Sequence, residues 1–228
     1  MSPFNSSGIP APVKGALALA LSLVVFPHIT GTLPAITAGF LVVTAVTEAI
    51  IGAALGFLVQ LLFTAVQMAG DIIDVTGGFS LQPAYDPMSL STHGAVGKLH
   101  HLLATTLLFT SGGHLLLVRG FATSYDGLPV GGSLPTEQLG EALLTAFSMM
   151  FLAALQIAGP MVAVLLLSDV ALALLSKAAP ALNIFAIGFP VKIMITLALL
   201  GLTFPLLPPA LDTLMHHAVE AMTALKSG

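Results

Sequence analysis

The chain has 228 residues, of which 57% are apolar and only 7% charged, with a formal net charge of −4 and a mean hydropathy of +1.04. Soluble domains carry about a quarter of their residues charged, so this composition excludes an ordinary water-facing surface and requires lipid or other subunits around the chain. The small, dispersed charge gives no sign of nucleic-acid binding, and the absence of cysteine excludes disulfides, thiol chemistry and thiolate metal sites.

In chain order, Pro10 and Pro12 suit a helix start, and a short apolar run from Gly15 to Phe26 ends at Pro27. Lys14 ahead of that run resembles the front of a secretory signal peptide. No small-x-small cleavage site follows, however, and the next apolar run begins within ten residues, so the segment is read as mature chain. Residues 35–69 are almost unbroken apolar sequence, with Glu48, Gln60 and Gln67 the main polar exceptions. A helix of that length spans about 50 Å against a hydrocarbon core of about 30 Å, so it must tilt steeply, break or protrude. Gly52 and Gly56 are the break candidates; continuous with Glu48 on one helical face, they predict a close neighbouring helix.

From Asp71 to Gly97 the pattern collapses into Asp, Gly, Pro and Ser, with the loop proper taken as residues 75–97. Phe79, Leu81, Tyr85, Met88 and Leu90 within it call for burial. Lys98 to Phe121 gives a third helix and Ser124 to Pro135 a turn-rich connector. Glu137 to Lys177 is again too long for one crossing, with Pro160 predicting a kink or a hairpin tip over Gln156 to Pro160. Further helices are expected around Phe189 to Phe204 and from Ala210 to Leu225, separated by Pro205, Pro208 and Pro209. Tryptophan is absent and only Tyr85 and Tyr125 are present, so the interfacial aromatic belt is nearly missing, which hints at surrounding subunits. The scattered Lys14, Lys98, Arg119, Lys177, Lys192 and Lys226 leave orientation open. The fold class that follows is all-α and integral-membrane type: one helical domain over residues 1–228, with long, kinked helices arranged as helical hairpins.

No His-Glu-x-x-His, Gly-x-Ser-x-Gly, Walker or Gly-x-Gly-x-x-Gly pattern is present, so no catalytic, cofactor or metal site is assigned. Asp71 and Asp74 share a helical face and could hold Mg²⁺ for a polyprenyl substrate, but the second acidic cluster that chemistry needs is missing. Ending a helix and bonding the loop is their plainer role. His93, His100, His101 and His114, or His216 with Glu220, permit a metal reading beside that of solvated helix ends. Glu48, Asp169, Lys177 and Lys192 are costly in apolar surroundings and mark either function or pairing between helices, pairing being preferred for Asp169. Gly112-Gly113-His114 reads as a close-packing point.

Taken in order, several blocks resemble the FliR family of export-gate subunits from flagellar and virulence secretion. They are Glu48 to Phe63, Gln67-Met-Ala-Gly-Asp-Ile-Ile-Asp74, Gly78-Phe-Ser-Leu81, Asp86-Pro87, Gly113-His114, Ala154-Leu-Gln-Ile-Ala-Gly-Pro160, Asp169, Leu174-Leu-Ser-Lys-Ala-Ala-Pro-Ala-Leu-Asn183 and Gly188-Phe-Pro-Val-Lys192. Each block is weak alone; their order and spacing over nearly the whole chain are specific. The resemblance implies a structural, non-catalytic subunit without cofactors, one copy of which completes a helical ring with FliP-like and FliQ-like subunits. FlhB-like and FlhA-like components would lie alongside, in the bacterial inner membrane at the flagellar basal body, and unfolded export substrates would pass through. It also implies a channel plug within residues 77–94, carried by Phe79, Ser80, Leu81, Tyr85, Asp86 and Pro87. Packing positions are Glu48, Gly52, Gly56, Gly113, Pro160, Asp169, Lys177, Asn183, Pro190 and Lys192. The family begins with a further apolar helix ahead of the segment matching Ser2 to Lys14, which this chain lacks. The rivals are a proton-coupled membrane transporter using Glu48, Asp169 or Lys192, and an intramembrane metal enzyme. A transporter should show repeated halves, and none is visible.

Overall fold

A computed structural model of the chain describes residues 9–29, 37–79, 94–128, 130–180 and 183–225, with the side chains of 184 and 185 excepted. Seven α-helices follow one another among these residues: α1 Ala11–Val25, α2 Ala38–Gly77, α3 Ala95–Thr110, α4 Gly113–Ser124, α5 Thr136–Ala178, α6 Ile184–Leu199 and α7 Leu207–Ala224. Short 3-10 turns at Phe26–His28, Leu200–Leu202 and Phe204–Leu206 complete them, and the described residues contain no strand. The fold is all-α.

Ala11–His28, Ala38–Gly77, Thr136–Ala178 and Ala186–Ala224 are each long and apolar enough to cross a membrane, and α3 with α4 adds a fifth crossing if that bent pair is one span. The protein is therefore of membrane-embedded type, in keeping with a composition that calls for lipid or other subunits around it.

Four boundaries differ from the sequence expectation. Helix α2 is one unbroken element of 40 residues that neither Gly52 nor Gly56 interrupts, and it runs on through Asp71 and Asp74 to Gly77. Local polarity put those aspartates where the helix gives way to loop, whereas Asp74 spends its carboxylate on the start of another helix. The expected third helix is instead two, α3 and α4, bent by 73° at Ser111–Gly112. Gly112 stands there at φ +75°, which a residue with a Cβ rarely adopts. No hairpin tip forms at Pro160, because α5 runs continuously for 43 residues around it. One missing backbone donor is tolerated inside a long membrane-type helix. Finally, Pro208 and Pro209 lie inside the first turn of α7 and do not precede it, a place where a missing N–H costs nothing.

The chain divides into two compact units. One draws on Met1–Thr64, Leu107–Met150 and Asp212–Gly228, the other on Ala65–Thr106 and Phe151–Leu211. Within the first, Ile51, Leu55 and Leu58 of α2 cluster with Leu128, Leu139, Met222 and Leu225. Helix α1 packs on α4 and leaves Leu19, Leu23 and Phe26 exposed. In the second unit the buried side chains include Ala65, Val66, Ala69 and Ile73 of α2, Ala104 of α3, and Ala154, Ile157, Met161 and Leu165 of α5.

Candidate functional site

A buried polar cluster of the second unit lies where α2 ends and α3 begins, at the two described edges of the expected plug. Asp74 is buried, and its two carboxylate oxygens accept from the backbone N–H groups of Val96 at 3.2 Å and Gly97 at 2.9 Å. A helix start leaves such donors without partners, so Asp74 caps α3 from α2 across 22 residues of sequence. The approach needs glycine. A Cβ on Gly70 would stand 2.6 Å from the Gly97 Cα, one on Gly94 would fall on the Asp74 carboxylate, and one on Gly97 would fall on Asp71.

His100, fully buried, lies one turn further along α3. Its Nδ1 is 3.0 Å from the Val96 carbonyl, which accepts, and its Nε2 is 3.2 Å from the Thr203 hydroxyl. Helix α6 closes on the end of α2, where a Cβ on Gly77 would meet the Thr196 hydroxyl at 2.6 Å and one on Gly78 the Phe189 ring at 3.3 Å. Of the expected plug residues, Phe79 is half-buried at this edge. Ser80, Leu81, Tyr85, Asp86 and Pro87 lie outside the described residues, as does His93.

Among the costly charges, Asp169 of α5 and Lys192 of α6 form an ion pair at 2.6 Å. The sequence favoured pairing for Asp169 without naming a partner; Lys192 is that partner, and the pair ties two helices of one unit. Lys177 is exposed in the last turn of α5, where a positive charge complements the helix dipole. Asn183 caps α6, its side chain accepting from the Ala186 N–H at 3.3 Å. Pro190 sits inside α6 and Pro160 inside α5.

In the first unit, the Tyr125 hydroxyl donates to Glu48 at 3.1 Å, and the neighbouring Asp126 accepts from His28 at 2.9 Å. The connector after α4 is thus fastened to α2 and to the end of α1. Burial, then the Glu48 carboxylate, pushes the Tyr125 phenol up to about 12, so it stays a donor at neutral pH. Gly113 is buried, and a Cβ there would fall on the Met215 sulfur of α7; one on Gly120 would stand 3.0 Å from Val219. A Cβ on Gly52 or Gly56 meets nothing within 4 Å. No described residue of this chain supplies the neighbour expected there. His216 and Glu220 do not pair with each other: His216 lies 3.7 Å from Asp212, and His217 lies 3.2 Å from Glu220.

Sequence reasoning missed Gly70, Gly94 and Gly97, whose partners lie beyond any local window, and Tyr125, whose partner is 77 positions away. The only early sign of the latter was its being one of two tyrosines. Among the described residues no group of three or more His, Asp or Glu side chains is placed to hold a metal. What these residues do is join helices, by capping, ion pairing and close backbone approach.

Residues 1–218 match the sequence profile of the bacterial export proteins, family 1. The chain is 34% identical over 223 residues to the flagellar biosynthetic protein FliR of Escherichia coli, covering 98% of this chain and 85% of the relative. It is 32% identical to the surface presentation of antigens protein SpaR of Salmonella typhimurium, covering 99% and 84%. It is 30% identical to the Yop proteins translocation protein T of Yersinia pestis, covering 77% and 65%. With a profile matched over nearly its full length, the chain belongs to the bacterial export proteins, family 1.

Proposed function

We propose that this chain is a structural, non-enzymatic subunit of the type III (flagellar) protein export gate, helping to form the channel through which unfolded substrates cross the bacterial inner membrane at the flagellar basal body. Family membership makes it an export-apparatus component. Its partners in this reading are FliP-like and FliQ-like subunits, with FlhB-like and FlhA-like components beside them.

The observation that carries the need for partners is the length of apolar surface on α5. From Leu144 to Leu175 this helix exposes Leu152, Leu155, Leu166, Leu167, Val170 and Leu174. Thirty-one steps at about 1.5 Å cover about 46 Å, against about 30 Å of hydrocarbon. Fitting that stretch into lipid alone needs a tilt near 50°, beyond the range of roughly 0–40° that membrane helices adopt. Other protein surface covers the remainder. The transporter reading loses ground because Asp169 and Lys192 satisfy each other and Glu48 accepts from Tyr125.

Gly52 and Gly56 are a seat for such a neighbour, since among the described residues nothing lies within 4 Å of a Cβ placed on either. Gly52→Leu or Gly56→Leu is expected to leave the isolated chain folded, by circular dichroism in detergent, while abolishing recovery of the assembled gate. Normal assembly of both variants excludes close packing there. The plug assignment is tested on the assembled complex: Phe79→Gly with Leu81→Gly is expected to admit small ions, because a narrow apolar constriction seals by dewetting. Ion conductance equal to that of the unsubstituted gate removes the plug role.

A further inference from the structure

The first unit contains a groove that its apolar core and packing glycines leave unfilled, a cavity of about 420 Å³ bordered by α2, α5 and α7. Its walls are apolar and largely buried, formed by Leu58 and Leu62 of α2 and Leu214 and Ala218 of α7. Its edges are polar and exposed: Gln138 and Glu141 on α5, His217 and Glu220 on α7. The exposed carboxylates of Glu137 and Asp212 stand on the same stretches of α5 and α7. Neither α7 nor residues 136–150 of α5 contain any Lys or Arg to answer the four carboxylates. The only basic groups in these stretches are the imidazoles of His217, 3.2 Å from Glu220, and His216, 3.7 Å from Asp212.

An apolar trough edged by carboxylates selects its occupant by charge. An anionic phospholipid headgroup would bring its negative charge against Glu141 and Glu220, which repel it. A helix with one apolar face would seat that face between α2, α5 and α7 and reach the two glutamates with Lys or Arg at the rim. We propose that this groove docks a Lys- or Arg-bearing amphipathic helix of another export-apparatus subunit, an inference that rests on the export reading above.

The absence of cysteine makes Thr145→Cys, on the groove lining, a unique site for a fluorescent label. The labelled full chain in phosphatidylcholine nanodiscs is titrated with a Leu–Lys amphipathic peptide and with its Leu–Glu counterpart, after subtraction of the response of empty discs. Saturable binding of the basic peptide, about tenfold tighter than the acidic one, is expected. Glu141→Lys combined with Glu220→Lys should reverse that order. Ala142→Trp, which fills the groove without changing charge, should weaken the basic peptide by a similar factor. Equal binding of both peptides, an unchanged preference in the double variant, or a label quenched by brominated phosphatidylcholine that no peptide displaces would each overturn the proposal, the last naming lipid as the occupant. Co-purification of the unsubstituted chain with FliP-like and FliQ-like subunits reports separately on the export reading, so the two can fail independently.

Discussion

Gly70→Ala is expected to destabilise the chain by at least about 3 kcal/mol, at the upper end of what overpacking costs. A Cβ at this position would lie 2.6 Å from the Gly97 Cα, 2.8 Å from the Gly97 nitrogen and 2.8 Å from the Val96 carbonyl oxygen. All three are backbone atoms, so no side chain can swing aside, and α2 and α3 must separate to admit one methyl group. Separation would also break the two bonds from Val96 and Gly97 to Asp74. In a chain of this size the loss corresponds to a fall in unfolding temperature of roughly 6–12 °C. Gly56→Ala is the matched control: its Cβ meets nothing within 4 Å, and removing an interior helix glycine gains up to about 1 kcal/mol. Thermal unfolding in detergent distinguishes them, and equal midpoints for the two variants would show that α2 and α3 do not approach as described.

Asp74→Ala is expected to cost about 2–6 kcal/mol, because it strands two buried N–H groups at once, each worth about 1–3 kcal/mol when left unsatisfied. Asp74→Asn should recover only part of that. Its single amide oxygen can accept from Val96 or from Gly97, while its NH₂ group faces the other donor. Hydrogen exchange gives the sharper reading. The Val96 and Gly97 amides should lose protection in the alanine variant before the middle of α3 does. Uniform loss across α3 would mean that Asp74 supports the helix without capping it.

The long apolar helices were legible in sequence because their signal is local: few charges over 35 or more residues, bounded by proline and glycine. What escaped was whatever depended on a distant partner. Asp71 and Asp74 read as a helix end bonding a loop, because a short-range pattern counts their polarity and cannot see that the bonded segment is the start of α3. The division of the third helix was within reach, since adjacent Gly112 and Gly113 serve different needs, one a left-handed backbone and the other room for Met215. Of the two outcomes allowed at Pro160, the hairpin tip does not form: the hydrogen-bonded turns on either side outweigh the one bond it removes. Asp169 and Lys192 stood out because charge in an apolar run is conspicuous, and its cost favoured a pairing for Asp169; that Lys192 is the partner is known only from the structure.

The central claim, that this chain is one subunit of a mixed export gate, is tested most directly by composition. The chain is co-expressed with FliP-like and FliQ-like proteins from the same genome, extracted in detergent and weighed by native mass spectrometry. The account predicts a single copy of this chain within a larger hetero-oligomer. A stable homo-oligomer that ignores both partners would contradict it.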